Sequence, residues 1–148
     1  MSNFLTEFMN FALQVTKAER ALAVDSNLKA VSSTNVDAKA LATQSFNELV
    51  GYVLSQAVEK QQPVITNNVV TNPLEAPKTN TSFSDLRIVV AVPIEGVGAI
   101  YLDRPVKMGV ITREQVDRLI AFALTLIELG STHLSAEQMM QQYAAITK

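Results

Sequence analysis

Leu86-Arg87-Ile88-Val89-Val90-Ala91-Val92-Pro93-Ile94 is followed, after only Glu95-Gly96, by Val97-Gly98-Ala99-Ile100-Tyr101-Leu102. Both runs are almost continuously apolar and rich in β-branched residues, so they read as two buried strands joined by a tight hairpin. Just downstream, Ile111-Thr112-Arg113-Glu114-Gln115-Val116 combines a capping box, Thr112 with Gln115, and a hydrophobic staple, Ile111 with Val116. A helix should start there and run past Leu119, Ile120, Phe122, Ala123, Leu124, Leu126, Ile127 and Leu129 to a cap at Gly130. Leu134, Ser135, Gln138 and Met139 repeat the box and staple, which predicts a last short helix to about Thr147.

Upstream, polar residues recur at Asn3, Glu7, Asn10, Gln14 and Lys17 among Phe4, Leu5, Phe8, Met9, Phe11, Ala12, Leu13 and Val15, the pattern of an amphipathic helix. Arg20 to Asp25 and Leu28 to Thr34 read as strands joined at Asp25-Ser26-Asn27. Ser45 with Glu48 suggests the start of a helix carrying Leu49, Val50, Val53, Leu54, Ala57 and Val58, stopped by Pro63. Val64 to Thr66 is a short strand, and the stretch from Asn67 to Ser84, rich in Asn, Thr and Pro, is a long connection of the kind that is usually functional or disordered. Together these elements specify an α+β fold, an antiparallel sheet with helices packed on it.

Composition narrows the chemistry. The 148 residues suit one domain, and 48% apolar with 18% charged residues suits a globular one. A net charge of −2, from 12 Lys plus Arg against 14 Asp plus Glu, offers no cationic field for nucleic acid or acidic lipid. With no cysteine, disulfides, thiolate metal sites, a cysteine nucleophile and thioether-linked cofactors are excluded. The one histidine, His133, falls in a short linker without an acid pattern around it, so neither a catalytic triad nor a metal site is expected. Glu7, with no Lys or Arg ahead of the first apolar stretch, argues against a secretory signal, and no apolar run reaches the ~18 residues of a membrane span, so a cytoplasmic protein is expected.

The element order resembles that of GAF and PAS-type sensor domains. The 86–94 run ending in Val92-Pro93, then Gly98-Ala99-Ile100-Tyr101-Leu102-Asp103 and the Ile111-Thr112 helix start are similar to the C-terminal half of a GAF domain. Ala18-Glu19-Arg20-Ala21-Leu22-Ala23-Val24-Asp25 is similar to the family's first strand, and Val58 to Thr66 to its Gly-x-Pro-Val segment, with Gln62 in place of the glycine. The resemblance implies a GAF-like domain over residues 1–130, with a C-terminal linker and short helix over 131–148. The cyclic-nucleotide signature of that family is met only by Asn80, Phe83 and Asp85, and its bilin, haem and sulfoxide-reductase members need cysteine or a core histidine. What the resemblance leaves is a non-enzymatic sensory or regulatory module without cofactor, contacting a protein partner in a signalling system or a small molecule. A roadblock-type regulator of a small GTPase is the alternative of the same size and fold class.

Candidate ligand contacts lie on and beside the long connection: Asn72, Thr79, Asn80, Phe83, Asp85 and Arg87. Arg87 stands out, because a guanidinium beside a buried strand either offers its fork to an anion or pairs with a nearby acid. Asp103, ahead of Pro105, is expected to follow the last strand and accept from the N–H groups of the turn. The two long helices at either end each present an apolar arc of roughly 200°, where about 100° suffices to pack on a sheet. The surplus predicts a homodimer through Phe4, Phe8, Phe11, Val15, Leu119, Phe122, Leu126 and Leu129 as a four-helix bundle, the alternative being that the last helix folds back over the same surface.

Overall fold

A computed structural model describes residues 2–36, 44–68 and 87–146. In chain order it holds α1 (Ser2–Thr16), β1 (Arg20–Asp25), β2 (Ala30–Thr34), α2 (Gln44–Lys60), β3 (Val64–Asn68), β4 (Arg87–Ile94), β5 (Gly98–Pro105), a 3-10 turn (Val106–Met108), α3 (Arg113–Glu128) and α4 (Ala136–Ile146). The strands form one antiparallel sheet in the order β2-β1-β5-β4-β3, so the last strand in sequence is the central one. The α+β class read from the sequence is the class observed.

The pivotal hairpin forms as its sequence dictates. Val97 donates its N–H to the Ile94 carbonyl at 2.9 Å across Glu95-Gly96, and Gly96 takes φ +76°, a conformation that costs glycine nothing. Gly98 is needed for a different reason: a Cβ there would lie 2.0 Å from the Val24 carbonyl oxygen of the neighbouring β1. In the first hairpin, the Asp25 carboxylate accepts from the N–H groups of Asn27 at 2.9 Å and Lys29 at 3.0 Å. That turn consumes Leu28 and Lys29, so β2 begins at Ala30, two residues later than the sequence suggests. α2 already includes Gln44, ahead of the expected cap at Ser45, and β3 runs on to Asn68.

Period-two alternation divides the β5 side chains between two cores. Ile100 and Leu102, with Ile88, Val90 and Val92 of β4, face a layer made by α1, α3 and α4. Ala99 and Tyr101, with Val89 and Ala91 of β4 and Leu22 and Val24 of β1, face α2 through Val50, Val53, Leu54 and Ala57. The near-continuous apolar run that identified β4 and β5 is thus the signature of a sheet covered on both sides.

The three-helix layer overturns the dimer surface expected from the sequence. Phe4, Phe8, Phe11, Leu119, Phe122 and Leu126 are all buried within a single chain, Val15 packs at the margin of the same core, and of the eight residues only Leu129, at the end of α3, is exposed. What covers them is α4. Ala136, Met139, Met140 and Tyr143 recur at three- and four-residue spacing and supply a narrow but sufficient stripe. The Tyr143 ring meets those of Phe11 and Phe122 edge-on at centroid distances of 5.3 and 5.2 Å, and Phe11 meets Phe122 at 5.1 Å. The Glu7 carboxylate of α1 accepts the Ala136 N–H at 2.9 Å, fixing the N-terminus of α4 onto α1. The segment expected to be a linker and appended helix is therefore part of the core, its start held by the reciprocal box between Ser135 and Gln138. The α3 box forms as read: Thr112 Oγ1 accepts from the Gln115 N–H at 3.2 Å while Gln115 Oε1 accepts from the Thr112 N–H at 3.0 Å.

Because these aromatics are core and not interface, Phe11→Ala should lower unfolding free energy by about 3–5 kcal/mol in denaturant titrations. The loss should be independent of protein concentration over a hundredfold range. Phe8→Glu should abolish cooperative unfolding altogether, since the carboxylate would be buried without a partner; a stably folded Phe8→Glu chain of altered mass would restore the interface reading.

Candidate interaction site

Residues of β1, β4 and β5 converge on one buried carboxylate. Asp103 lies inside β5, opposite Arg20 on one side and Val89 on the other, and its side chain is fully buried on the α2 face. It does not follow the strand and does not serve a turn. Tyr101, two residues earlier on the same face, donates its hydroxyl to Oδ2 at 2.6 Å. Arg20 approaches as a fork, with Nε 2.9 Å from Oδ1 and Nη2 2.9 Å from Oδ2. Arg87, at the start of β4, places Nη2 3.0 Å from Oδ1 and shares that nitrogen with the half-exposed Glu19 carboxylate. Two guanidinium groups, Asp103 and Glu19 form a neutral set that closes one end of the sheet.

The electrostatics follow from that arrangement. Burial acts to lower the Arg87 pKa, but the charges and hydrogen bonds of Asp103 and Glu19 outweigh it and hold the guanidinium above its ordinary value. Burial, the Asp103 charge and the hydrogen bond to it together push the Tyr101 phenol far above its ordinary value near 10, against the opposing pull of Arg20 and Arg87. Tyr101 is thus a protonated donor across the physiological range.

Of the expected ligand contacts, Asn72, Thr79, Asn80, Phe83 and Asp85 lie outside the described residues. Arg87 is described: its Nη2 donates to both Asp103 and Glu19, while its Nε is buried without a hydrogen-bond partner among the described residues. Glu19 and Asp103, unplaced relative to one another by the sequence, are joined through it, whereas Asp25 is engaged in its own hairpin turn. His133 is exposed, and among the described residues there is no group of three or more His, Cys, Asp or Glu able to hold a metal ion. No helix among them is long and apolar enough to cross a membrane.

A second polar anchor escaped the sequence reading. Arg104, next to Asp103 and therefore on the opposite face, donates to the carbonyls of Thr16 and Gly109 at 2.8 Å each and to that of Val110 at 3.3 Å. It caps the C-terminus of α1 and pins the β5–α3 connection to it.

Open space occurs at the sheet edge. A cleft of about 400 Å³ is lined by Tyr52, Gln56 and Lys60 of α2, by Gln62 through Ile65 leading into β3, and by Arg113 at the start of α3. α2 and α3 cover opposite faces of the sheet, so a cleft that touches both wraps the outer edge of β3. Tyr52 is exposed there, although aromatic.

No protein-family model matches the sequence, and no curated protein matches it. Among solved structures the chain is similar to Myxococcus xanthus MglB, with 12% identity, coverage of 99% of this chain and 92% of that one, and a TM-score of 0.44. At that distance the likeness assigns no function.

Replacing Asp103 by Asn should destabilise the fold by about 3–5 kcal/mol, the typical consequence of leaving buried cations without their counter-charge. Tyr101→Phe tests the phenol separately. A phenol whose pKa is raised by folding stabilises the native state fully below its unfolded value near 10 and loses that contribution as pH rises above it. Wild-type stability should therefore fall above pH 10 by up to about 1.4 kcal/mol per pH unit more steeply than that of Tyr101→Phe, as read by denaturant midpoints at matched ionic strength. Parallel slopes would remove Tyr101 from the buried network.

Proposed function

We propose that this chain is a non-catalytic regulatory module that acts through contact with a protein partner and does not turn over a substrate. The observation that carries this reading is the closed sheet face beneath α2. Val89, Ala91, Ala99, Tyr101 and Asp103 are all fully buried with no ligand present, so the chain itself occupies the space above them. Arg87, the side chain best placed to grip an anion, already has two acids. Open polar and aromatic surface is found instead at the rim, around Tyr52 and Lys60.

The finer form of this reading is a roadblock-type regulator of a small GTPase, a role that asks for a protein-binding surface and not for a chamber in the domain. The GAF-like sensor is the second reading. In its favour, the motifs that carried the resemblance fall on β4, β5 and the Thr112-capped start of α3, although the hairpin at Glu95-Gly96 is shorter than the connection of many GAF domains. Against it, among the described residues the sheet face from Val89 to Tyr101 is packed by side chains of α2.

A native mass spectrum of freshly purified protein separates the two. The expected spectrum shows the mass of the bare chain or an integer multiple of it. A stoichiometric small-molecule adduct that survives gel filtration would favour the sensor and overturn the contact reading. The finer form predicts calorimetric binding to a small GTPase from the same organism that changes at least tenfold between its GDP-bound and GTP-analogue-bound states, a coupling of about 1.4 kcal/mol.

A further inference from the structure

The net charge of −2 is a sum over the chain and does not describe the end of the sheet where β5 leaves it. There the Arg104 guanidinium gathers two segments. It donates to the carbonyls of Thr16 at 2.8 Å and Lys17 at 3.5 Å, where α1 ends, and to those of Gly109 at 2.8 Å and Val110 at 3.3 Å in the β5–α3 connection. Lys17 and the loop from Lys107 to Val110 are thereby held side by side, and the Arg104 charge meets carbonyls and no carboxylate among the described residues. Lys17 and Lys107 are exposed and make no ion pair among those residues. The acids that border the region are already engaged: Glu19 and Asp103 by Arg87, Glu114 by Arg118 and Asp117 by Arg113. Apolar surface lies between the cations. Met108 and Val110 are 67% and 51% exposed, and no residue of the 3-10 turn is buried. Among the described residues no other two exposed large apolar side chains stand so close in sequence. The backbone that displays them is tied down, since Gly109 takes φ +101° and a Cβ there would come within 3.1 Å of Arg104.

We infer that this patch rests on an anionic lipid bilayer, with Met108 and Val110 at the boundary between headgroups and acyl chains and Lys17 and Lys107 among the headgroups. Arg104 adds its charge from behind the loop. Charge complementarity selects an anionic surface, because each basic side chain near such a surface is attracted to it. Size selects lipid over protein. A stable protein interface uses about 800 Å² on each partner, whereas an interfacial contact needs only a few apolar side chains with basic residues around them. Lysine suits the position, since its methylene stem lies along apolar surface while the ammonium stays in the wet headgroup layer. A contact this small is weak and reversible, so it biases the module toward a membrane surface without anchoring it there. The inference goes beyond the protein-contact reading and does not depend on it.

The test is co-sedimentation of the full chain with vesicles of equal parts phosphatidylserine and phosphatidylcholine, beside vesicles of phosphatidylcholine alone. Binding is expected to the first and not the second, and should weaken as salt rises. Lys17→Gln combined with Lys107→Gln should lower the partition coefficient about tenfold or more. Met108→Ser combined with Val110→Ser should lower it as well, even at low salt where the charges act most strongly. All four side chains are exposed, so unchanged thermal midpoints are expected. Insertion is read separately with Met108→Trp, which introduces the sole tryptophan of the chain. Its emission should shift to the blue on the anionic vesicles and be quenched by lipids brominated on the acyl chain. Absence of binding, equal binding to both vesicles, indifference to either double substitution, or an emission that stays that of a water-exposed indole would each overturn the inference. So would a soluble polyglutamate that binds the patch while the vesicles do not, since the surface would then belong to an acidic protein. None of these outcomes bears on the native mass spectrum that tests the protein-contact reading.

Discussion

Everything on the α2 side of the sheet depends on the neutralisation of Asp103. A carboxylate on the central strand, with no exposed surface, would be prohibitive if left alone, and its desolvation is offset only because three donors from three strands reach it. Arg20 and Arg87 stand on the strands flanking β5, one on each side, so the same ion cluster that permits the burial also fixes the mutual register of β1, β5 and β4. A slip by one residue would turn Asp103 to the apolar face and leave both guanidinium groups without it. Tyr101 adds a donor from β5 itself and, being two residues away, shares the face by strand geometry alone. The cluster contributes specificity of pairing as well as stability.

Coupling between the two faces runs through adjacent residues of β5. Asp103 points to α2 and Arg104 to the opposite side, where it holds the last carbonyls of α1 and the connection to α3. A single dipeptide thereby ties the sheet register to the placement of the helical layer. That layer is completed by α4, whose burial of Ala136 and Met139 and whose Tyr143 ring convert an apolar surface on α1 and α3 into core. Burial of this kind is worth roughly 1.5–3 kcal/mol per large side chain, so one short helix of the same chain completes this core.

The sequence made the order and type of elements legible because their signals are local. Thr112 with Gln115, Ser135 with Gln138, the Asp25 turn and the two-residue gap at Glu95-Gly96 each act within a few residues, and each forms as its chemistry requires. Relations between distant residues were not legible. The apolar arcs of α1 and α3 announced that something must cover them, but a periodicity plot does not say which chain provides the cover; the narrow stripe of α4 suffices because Tyr143 covers two rings at once. Asp103 looked like a turn residue because Pro105 follows, yet β5 continues through Pro105, and only the sheet order reveals the arginines on either side of it. A usable signal was present: Arg20, Arg87 and Asp103 are among the few charges embedded in or bordering the most apolar strands, and buried charges must find one another.

With both faces of the sheet covered by helices, the two strands at its edges differ in their surroundings. β2 is joined to β1 with a register shift between Ala23 and Val24, and Thr34 near its end contacts Asn10 of α1. A bulged pairing and a helix alongside are the ordinary devices that discourage an edge from accepting another strand. β3 lacks the bulge: its ladder with β4 is unbroken, and it is α2, on the opposite face of the sheet from α1, that runs beside it.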